Sequence, residues 1–462
     1  MAKEHVQNDF STGSVPSIVM RMALPLIAAQ LVNVLYNIVD RIYIGHIPEI
    51  GSMALTGVGI ALPVISILAA FAGLFGQGGA PLCSMARGRG DDEEASRVMG
   101  NAFTMLFVSS VALGLLTYAF LRPIIAVFGA GEEATGYACE YLEVYLIGTT
   151  FSFLSLGMNV YINAQGFATR GMLTVLLGAA ANIVLDPIFI FVFGLGVRGA
   201  AIATVISQAL SAVWCVAFLR SKKTPLELSP RTMAPRRKIM GRIMALGVSD
   251  FVMGATNSAI QSVANRQLGV YGGDLYVGAI TVVNSMRTVF TEIIHGFGSG
   301  IQPVLAYNYG ADKKDRVLSC IRFSVYGGVG FSLVVWAIFM LFPEPLIRMF
   351  TEDEALIAVA IPAVRIYFCG FAFMSLQFVA QNAFRSLGKA KEAVFFSLLR
   401  KIILVVPLML LLPGVFGLGA EGVYWSEPIS DLLGGGAAFT TLMLTVYRPL
   451  AKEYKEETLC RN

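Results

Sequence analysis

The chain has 462 residues, of which 56% are hydrophobic and only 14% are charged, with a formal net charge of +4 and a mean hydropathy of +0.70. Soluble globular proteins carry about 25% charged residues, so this chain cannot cover a water-facing surface and is predicted to be an integral membrane protein. Most of its lysine and arginine residues lie in the connections between apolar segments, so the net charge reflects membrane topology and gives no indication of a nucleic-acid-binding surface.

The polar N-terminus, residues 1–17, lacks the apolar segment and cleavage site of a signal peptide. Twelve apolar runs of about 20 residues follow it, each long enough to cross a bilayer as a helix. The short alternating segments typical of a β-barrel are not the pattern of this sequence. The predicted fold class is therefore an all-α integral membrane protein with twelve transmembrane helices. The predicted spans are 17–43, 52–76, 97–120, 138–162, 172–193, 199–219, 240–266, 276–300, 319–342, 358–382, 393–414 and 420–446.

The distribution of lysine and arginine predicts the orientation of these spans, because cytoplasmic connections are enriched in both residues. The side of the membrane opposite the N-terminus carries only Arg41, Arg122, Arg198, Arg266 and Arg348. Both termini are therefore predicted to be cytoplasmic in a multi-pass protein of the inner membrane. The side that holds the N-terminus carries Lys3, Arg87, Arg89, Arg97, Arg170, the basic residues of 220–242, Lys313, Lys314, Arg316, Arg322, Arg385, Lys389, Lys391, Arg400 and Lys401.

The six cysteines are scattered, without the paired spacing of a disulfide framework or a metal site. We expect no cofactor and no bound metal, apart from a coupling ion considered below.

The second half of the sequence repeats the first. "FGQGGAPLCSMARG" at 75–88 aligns without a gap on "FGSGIQPVLAYNYG" at 297–310, and "FGLG" at 193–196 recurs at 416–419 once a single extra position is allowed in the second copy. Since each copy holds six spans, both enter the membrane from the same side, which predicts a parallel pseudo-twofold repeat with a substrate site between two lobes. The predicted domains are an N-terminal lobe, 1–219, a basic cytoplasmic linker, 220–238, and a C-terminal lobe with a short tail, 239–462.

Polar side chains form stripes on several spans of the first half. Gln30, Asn33, Asn37 and Asp40 fall on one face of the first helix, and Tyr36 borders that face. A carboxylate at the centre of a span costs roughly 2.5–3.5 kcal/mol on insertion scales. Such groups therefore face a lobe interior or a wet cavity, where they either join helices through hydrogen bonds or exchange ions.

The fifth span places Asn182 and Asp186 one turn apart, and the sixth adds Thr204. Two buried carboxyl groups in one lobe, Asp40 and Asp186, repel each other when both are ionised. They are therefore candidates to take up a proton or, when ionised, to bind a cation such as Na⁺.

The second half carries a different polar set. Asn284, Arg287, Thr291 and His295 share one face of the eighth span, while Glu427 and Asp431 lie one turn apart on the twelfth. Arg287 is predicted to pair with one of these two acids, either as a structural ion pair or as a residue that faces the substrate. The positions equivalent to Asn182 and Asp186 are Val405 and Met409, so ion coupling is predicted to reside in the first lobe.

The sequence resembles the multidrug and toxic compound extrusion (MATE) family, and is most similar to its DinF- and MepA-like branches. The resemblance covers nearly the whole chain. It rests on the repeat and on three stretches: "LPLIAAQLVNVLYNIVDRIYIG" at 24–45, "NIVLDPIFIFVFGLGVRGAAIATVISQ" at 182–208, and "QPVLAYNYGADKKDRV" at 302–317. It implies two lobes in a V and an outward-pumping antiporter. It also implies that the cation or proton site comprises Asp40, Asn159, Asn182, Asp186 and Thr204.

The predicted function is therefore export of amphipathic, often cationic compounds, driven by H⁺ or Na⁺, by a protein that acts as a monomer in the lipid bilayer. A lipid-linked oligosaccharide flippase of the same superfamily is the alternative. An enzyme is not expected, since neither a nucleophile–base pair nor a set of metal ligands is visible. Candidates for the substrate cavity are Gln30, Asn33, Tyr36, Asn37, Met158, Met253, Met286 and Arg287.

Overall fold

The computed structural model describes residues 10–127 and 132–461, and the regular secondary structure in these ranges is helical. Within these ranges, ten helices are long and apolar enough to cross a membrane, and two bent helix pairs, each taken as one span, bring the number of spans to twelve. The predicted all-α fold class and its twelve spans are thereby confirmed. Residues 1–9, where the predicted N-terminal lobe begins, and Asn462, where the tail ends, lie outside the described residues.

Six helices form the first lobe, and each begins before the start of its predicted span. Their bounds are Val15–Gly45 (α1), Gly51–Gly88 (α2), Asp92–Ala119 (α3), Glu132–Ile147 with Thr149–Ala164 (α4), Ala168–Pro187 (α5) and Gly196–Leu219 (α6). A π-helical turn, Ile188–Val192, extends α5, and a short helix, Leu121–Val127, precedes α4.

The second lobe repeats this arrangement. Its helices are Arg237–Gly272 (α7), Asp274–Gly310 (α8), Lys314–Leu341 (α9), Glu354–Phe368 with Phe371–Ser386 (α10), Ala390–Gly414 (α11) and Gly419–Cys460 (α12). Two π-helical segments, Leu399–Val405 in α11 and Asp431–Gly435 in α12, pack against each other.

The fourth helix of each lobe, α4 in the first and α10 in the second, is bent at an equivalent position. The two halves of α4 meet at 61°, with Gly148 between them, and those of α10 meet at 43°, next to Gly370. A Cβ at Gly148 would lie 2.5 Å from a methyl group of Val205, and one at Gly370 would lie 2.7 Å from the Cα of Pro428. Each lobe therefore needs a glycine where the bent helix meets its sixth helix.

Each lobe has its own apolar core, centred in the first on residues such as Leu106, Phe153 and Tyr161 and in the second on residues such as Phe339 and Phe368. Large apolar side chains are also exposed around the outside of the helices, as expected where a bundle meets lipid rather than water.

The lobes touch at one end of the bundle, the end that holds residues 220–238, which we call the linker end. There α2 meets α7, since a Cβ at Gly78 would lie 2.2 Å from the carbonyl oxygen of Ile243. Likewise α8 meets α1, since a Cβ at Gly300 would lie 2.5 Å from the Cα of Ala23. Glycines thus allow the central helices to approach backbone to backbone and close the linker end.

The segment 220–238 is folded against α3. A short helix, Pro230–Met233, lies within it. The side chain of Asn101 donates hydrogen bonds to the carbonyl oxygens of Thr232 and Ala234, at 3.3 and 3.2 Å, and accepts one from the Arg236 amide at 2.7 Å. The connection is therefore a docked segment and not a free tether.

One sequence-based assignment is wrong. Arg400 and Lys401 were expected in a cytoplasmic connection, but both lie on α11, almost three helical turns beyond its start at Ala390. At 1.5 Å per residue they lie about 15 Å inside the helix, and they are only 2% and 3% exposed. Acidic side chains of α12 lie beside both residues, and the apolar pattern of the span could not reveal those contacts.

Candidate functional site

The polar centre of the first lobe is built on α5 and α6. Asn182 and Asp186 lie one turn apart on α5, and the Asn182 amide donates to the Asp186 carboxyl at 3.0 Å and to the Thr204 hydroxyl at 3.4 Å. Asp186 is completely buried, and Asn182 is nearly so. The Asn182 side chain therefore links the acid of α5 to the hydroxyl of α6.

Asp40 approaches this centre from α1. Its carboxyl group is close enough to the Asp186 carboxyl for the two to interact electrostatically. Each acid has one buried oxygen without a hydrogen-bond partner, Oδ1 of Asp40 and Oδ2 of Asp186. Two carboxylates this close repel each other unless a proton or a cation lies between them.

Tyrosines surround the two acids. Tyr36 and Tyr141 both lie near Asp40, and Tyr141 also lies near Thr204. The Tyr145 hydroxyl contacts the Ser152 hydroxyl at 3.3 Å. These phenols supply polar atoms in an otherwise apolar core without adding a charge.

Pro187 shapes the end of this site. Because proline has no amide hydrogen, the helical bond to the carbonyl of residue 183 is lost, and α5 continues as the π-helical turn Ile188–Val192. Such turns are frequent at functional sites because they re-aim neighbouring side chains. The Asp-Pro pair therefore places the buried acid where the helix changes its winding.

A cavity of about 390 Å³ opens beside this centre, between α1, α2, α4, α5, α6 and α8. Gln30, Asn33 and Tyr36 of α1 line it, together with Asn159, Asn182 and Thr204. The Asn159 amide donates to the carbonyl oxygen of Gly171 at 3.2 Å, and its own carbonyl oxygen has no partner. Asn159 thus faces the same space as Asn182 and presents a free acceptor.

A second cavity, of about 460 Å³, lies between the lobes. Asp250 of α7 and Arg385 of α10, which form an ion pair, contribute to its wall. Gln77, Asn257 and His295 add further polar groups. This cavity adjoins the first-lobe cavity, since Ala69, Gly73, Gln77 and Ser299 line both.

The second lobe holds a buried ionic cluster in place of a carboxyl pair. Arg400 contacts Glu427 at 3.1 Å and Asp431 at 2.7 Å. Glu427 also lies 3.6 Å from both Arg287 and Lys401. The predicted pairing of Arg287 with an acid of the twelfth helix is therefore seen with Glu427, although the sequence did not suggest the two further cations of α11.

The MatE family model matches two stretches of the chain, residues 25–188 and 251–411, one in each lobe. The chain belongs to the MatE family. It is 27% identical over 446 residues to the multidrug export protein MepA of Staphylococcus aureus (strain NCTC 8325 / PS 47), covering 95% of each protein. It is 25% identical over 423 residues to MepA of Staphylococcus haemolyticus (strain JCSC1435), covering 91% of this chain and 92% of the relative.

A crystal structure of MATE in the bent conformation has the same fold, with a TM-score of 0.89 at 22% sequence identity, covering 98% of this chain and 99% of that one. The twelve-helix, two-lobe architecture of this MatE protein is thus shared over its full length.

Several candidates for the substrate cavity lie elsewhere in this MatE protein. Met158 and Met286 are buried in the apolar cores of the first and second lobes. Asn37 is exposed and donates to the carbonyl oxygen of Asn33 at 2.6 Å. Met253 is half-buried on α7. The apolar pattern alone could not separate a methionine that lines a cavity from one that fills a core.

Glu292 was missed by the sequence analysis. It lies on α8, and its carboxylate accepts a hydrogen bond from the Gln30 amide of α1 at 3.1 Å, so the two lobes are linked there. Its position directly after Thr291 in the polar stripe of α8 was the available signal.

Proposed function

We propose that this MatE protein is an antiporter of the cytoplasmic membrane that exports amphipathic, often cationic small molecules in exchange for H⁺ or Na⁺. The observation that carries the proposal is the meeting of Asp40 and Asp186 in the first lobe, each with a buried oxygen that has no hydrogen-bond partner. The names of the MepA relatives support multidrug export as the activity.

The two acids act as the coupling site. Asn182 and Thr204 orient Asp186, and Asn159 presents a further acceptor to the adjoining cavity. A proton, or a sodium ion ligated by carboxylate, amide and hydroxyl oxygens, neutralises the acids in turn and is released on the opposite side. One charge that crosses a potential of about 100 mV supplies ~2.3 kcal/mol, and a tenfold substrate gradient costs ~1.4 kcal/mol.

Substrate occupies the two adjoining cavities. Gln30, Asn33 and Tyr36 offer it polar and aromatic contacts next to the coupling site. The lobes meet at the linker end, which the charge distribution assigns to the cytoplasm. With that orientation the protein is closed toward the cytoplasm, and opening of the linker end would admit substrate from inside.

A lipid-linked oligosaccharide flippase needs cationic side chains that face a pyrophosphate in the central space. Arg385 lines the cavity between the lobes, but Asp250 already pairs with it. This arrangement favours export of neutral or cationic compounds.

The deciding experiment is transport into inverted membrane vesicles. Uptake of a fluorescent lipophilic cation under an imposed pH gradient, and separately under an imposed Na⁺ gradient, identifies the activity and its ion. Vesicles without the protein provide the baseline, and a protein that gives no uptake above it under either gradient is not this antiporter.

A further inference from the structure

The second lobe contains a polar cavity of about 280 Å³ that the coupling site does not use. It lies between α7, α8, α10, α11 and α12. Arg287, Lys401 and Glu427 line it, as do Tyr367 and Glu292. It is thus a built pocket with several charged side chains inside a membrane lobe.

Arg287 and Lys401 line this pocket and Arg400 lies beside it, and the three cations differ in how closely acidic side chains contact them. Arg400 is held by both Glu427 and Asp431 at 3.1 and 2.7 Å. By contrast, Lys401 and Arg287 both point at the same oxygen, Oε1 of Glu427, from 3.6 Å. This separation is too long for a hydrogen bond, so the Lys401 ammonium, with three donors, has only a loose electrostatic contact.

Lys401 is only 3% exposed. Burying a cation without hydrogen bonds is costly, because water no longer solvates it. The cluster of Arg287, Arg400, Lys401, Glu427 and Asp431 contains three basic groups and two acids. The remaining acid of the lining, Glu292, is turned toward Gln30 of α1.

Arg287 has one short contact, from its Nη1 to the Tyr367 hydroxyl at 2.5 Å. Its other donors, like those of Lys401, remain for a ligand in the cavity. A guanidinium and an ammonium that flank one space are a typical arrangement for a carboxylate or another small anion.

The internal repeat places this pocket at the position of the second lobe that corresponds to the coupling site of the first lobe. The alignment that superimposes the two "FGLG" stretches also matches Glu427 with Thr204 and Met409 with Asp186. The same alignment puts Lys401 at the position of Gly178, which lines the first-lobe cavity. The same place in the fold is therefore acidic in one lobe and basic in the other.

We propose that the second-lobe cavity binds a monoanionic group between Lys401 and Arg287, either the carboxylate of a small organic ligand or a free inorganic anion. The pocket would thus receive the anionic part of a ligand while the first lobe handles the coupling cation. Binding at this site does not depend on transport, so the test uses the purified full-length protein in detergent.

The probe is benzoate, with benzamide as its neutral counterpart, measured by isothermal titration calorimetry in low-salt Tris sulfate buffer, which contains no carboxylate and no halide, and again with chloride added. We expect benzoate to bind at least about tenfold more tightly than benzamide, since a charge-assisted hydrogen bond contributes more than a neutral one. Competition by chloride would identify a site open to free anions, whereas benzoate binding that chloride leaves unchanged would identify a carboxylate site.

Lys401→Gln should weaken benzoate binding by about tenfold or more, and Lys401→Arg should retain it. Lys389→Gln is the matched control, because Lys389 lies 3.8 Å from a glutamate, Glu392, but on an accessible connection. Equal affinity for benzoate and benzamide in the wild type, without any effect of chloride, would overturn the proposal without a variant. Unchanged benzoate affinity in a folded Lys401→Gln protein would overturn it as well.

Discussion

Gly88 and Gly310 make the same contact in opposite directions across the two lobes. A Cβ at Gly88 would lie 2.0 Å from the carbonyl oxygen of Tyr307, and a Cβ at Gly310 would lie 2.1 Å from the carbonyl oxygen of Met85. The gapless alignment of 75–88 on 297–310 pairs Gly88 with Gly310 and Met85 with Tyr307. The pseudo-twofold axis of the repeat therefore passes through this contact, which closes the linker end.

Adding a side chain at Gly88 or at Gly310 should open the linker end. We expect Gly88→Ala and Gly310→Ala to separate α2 from α8 there, because backbone atoms cannot yield as a flexible side chain can. Spin labels at Glu93 and Tyr309, in a background without the native cysteines, would report a longer distance by double electron–electron resonance. Gly330→Ala is the control, since a Cβ at Gly330 meets nothing within 4 Å. An unchanged distance distribution in both variants would show that this contact is not what holds the end closed.

An ion pair between α3 and α7 at the linker end should contribute less to keeping that end closed than the contacts of Gly88 and Gly310 do. Glu94 of α3 accepts from Arg242 of α7 at 2.9 Å and from Arg89 at 2.7 Å. Exposed pairs contribute roughly 0–1 kcal/mol and are screened by salt. We expect Glu94→Gln to shift the same spin-label distances only slightly, and the difference from wild type to shrink in about 1 M salt. A shift as large as that of Gly88→Ala would contradict this ranking.

Loss of the charge at Asp186 should uncouple transport without unfolding the protein. Asp186→Asn keeps the size of the side chain and can still bond to Asn182, but it cannot ionise. If one net positive charge normally moves inward per cycle, after the charge of the exported compound is subtracted, the gradient of exported compound should fall by about fiftyfold at a potential of about 100 mV. Fluorescent-cation accumulation in inverted vesicles measures this, with expression and melting temperature checked in parallel.

Asp40→Asn should behave in the same way, and Met409→Leu, at the equivalent position of the second lobe, should transport normally. Wild-type accumulation by Asp186→Asn would mean that the buried carboxyl serves structure and not coupling.

The second-lobe cluster should show selective coupling between its members. Glu427→Gln should destabilise the protein by about 3–5 kcal/mol, because it leaves buried cations without their shared partner. A double-mutant cycle should give about 1–3 kcal/mol between Arg287 and Glu427, and much less between Arg287 and Asp431, whose ion pair is with Arg400. Chemical unfolding in mixed micelles supplies the free energies. Equal coupling of Arg287 to both acids would contradict the observed geometry.

Cysteine labelling from outside the cell can determine which end of the bundle faces the cytoplasm. Lys222 is an exposed residue of the 220–238 connection, and Glu352 is exposed at the opposite end of the bundle. In a cysteine-free background, we expect a cysteine at Glu352, but not one at Lys222, to react with an impermeant maleimide added to intact cells. The reverse pattern would place the linker end outside.

The sequence by itself determined the twelve spans, the repeat and the pairing of Asn182 with Asp186. These follow from local features: the length of each apolar run, the nearly constant spacing between matching stretches of the two halves, and the helical period that sets two side chains on one face. Local features also showed that Asp40 and Asp186 are unusual in their spans, because placing a charged side chain inside an apolar span costs free energy wherever the helix packs.

Only the tertiary structure decided which distant groups meet. It turned Arg400 and Lys401 from an apparent topology signal into a buried cluster, because their acidic partners lie on another helix. It also separated Tyr36, which lines a cavity, from Met158, which fills a core, although both looked equally suitable in the sequence. The charge of a residue is written in the sequence, but its partner, its depth and the space beside it depend on how the helices pack.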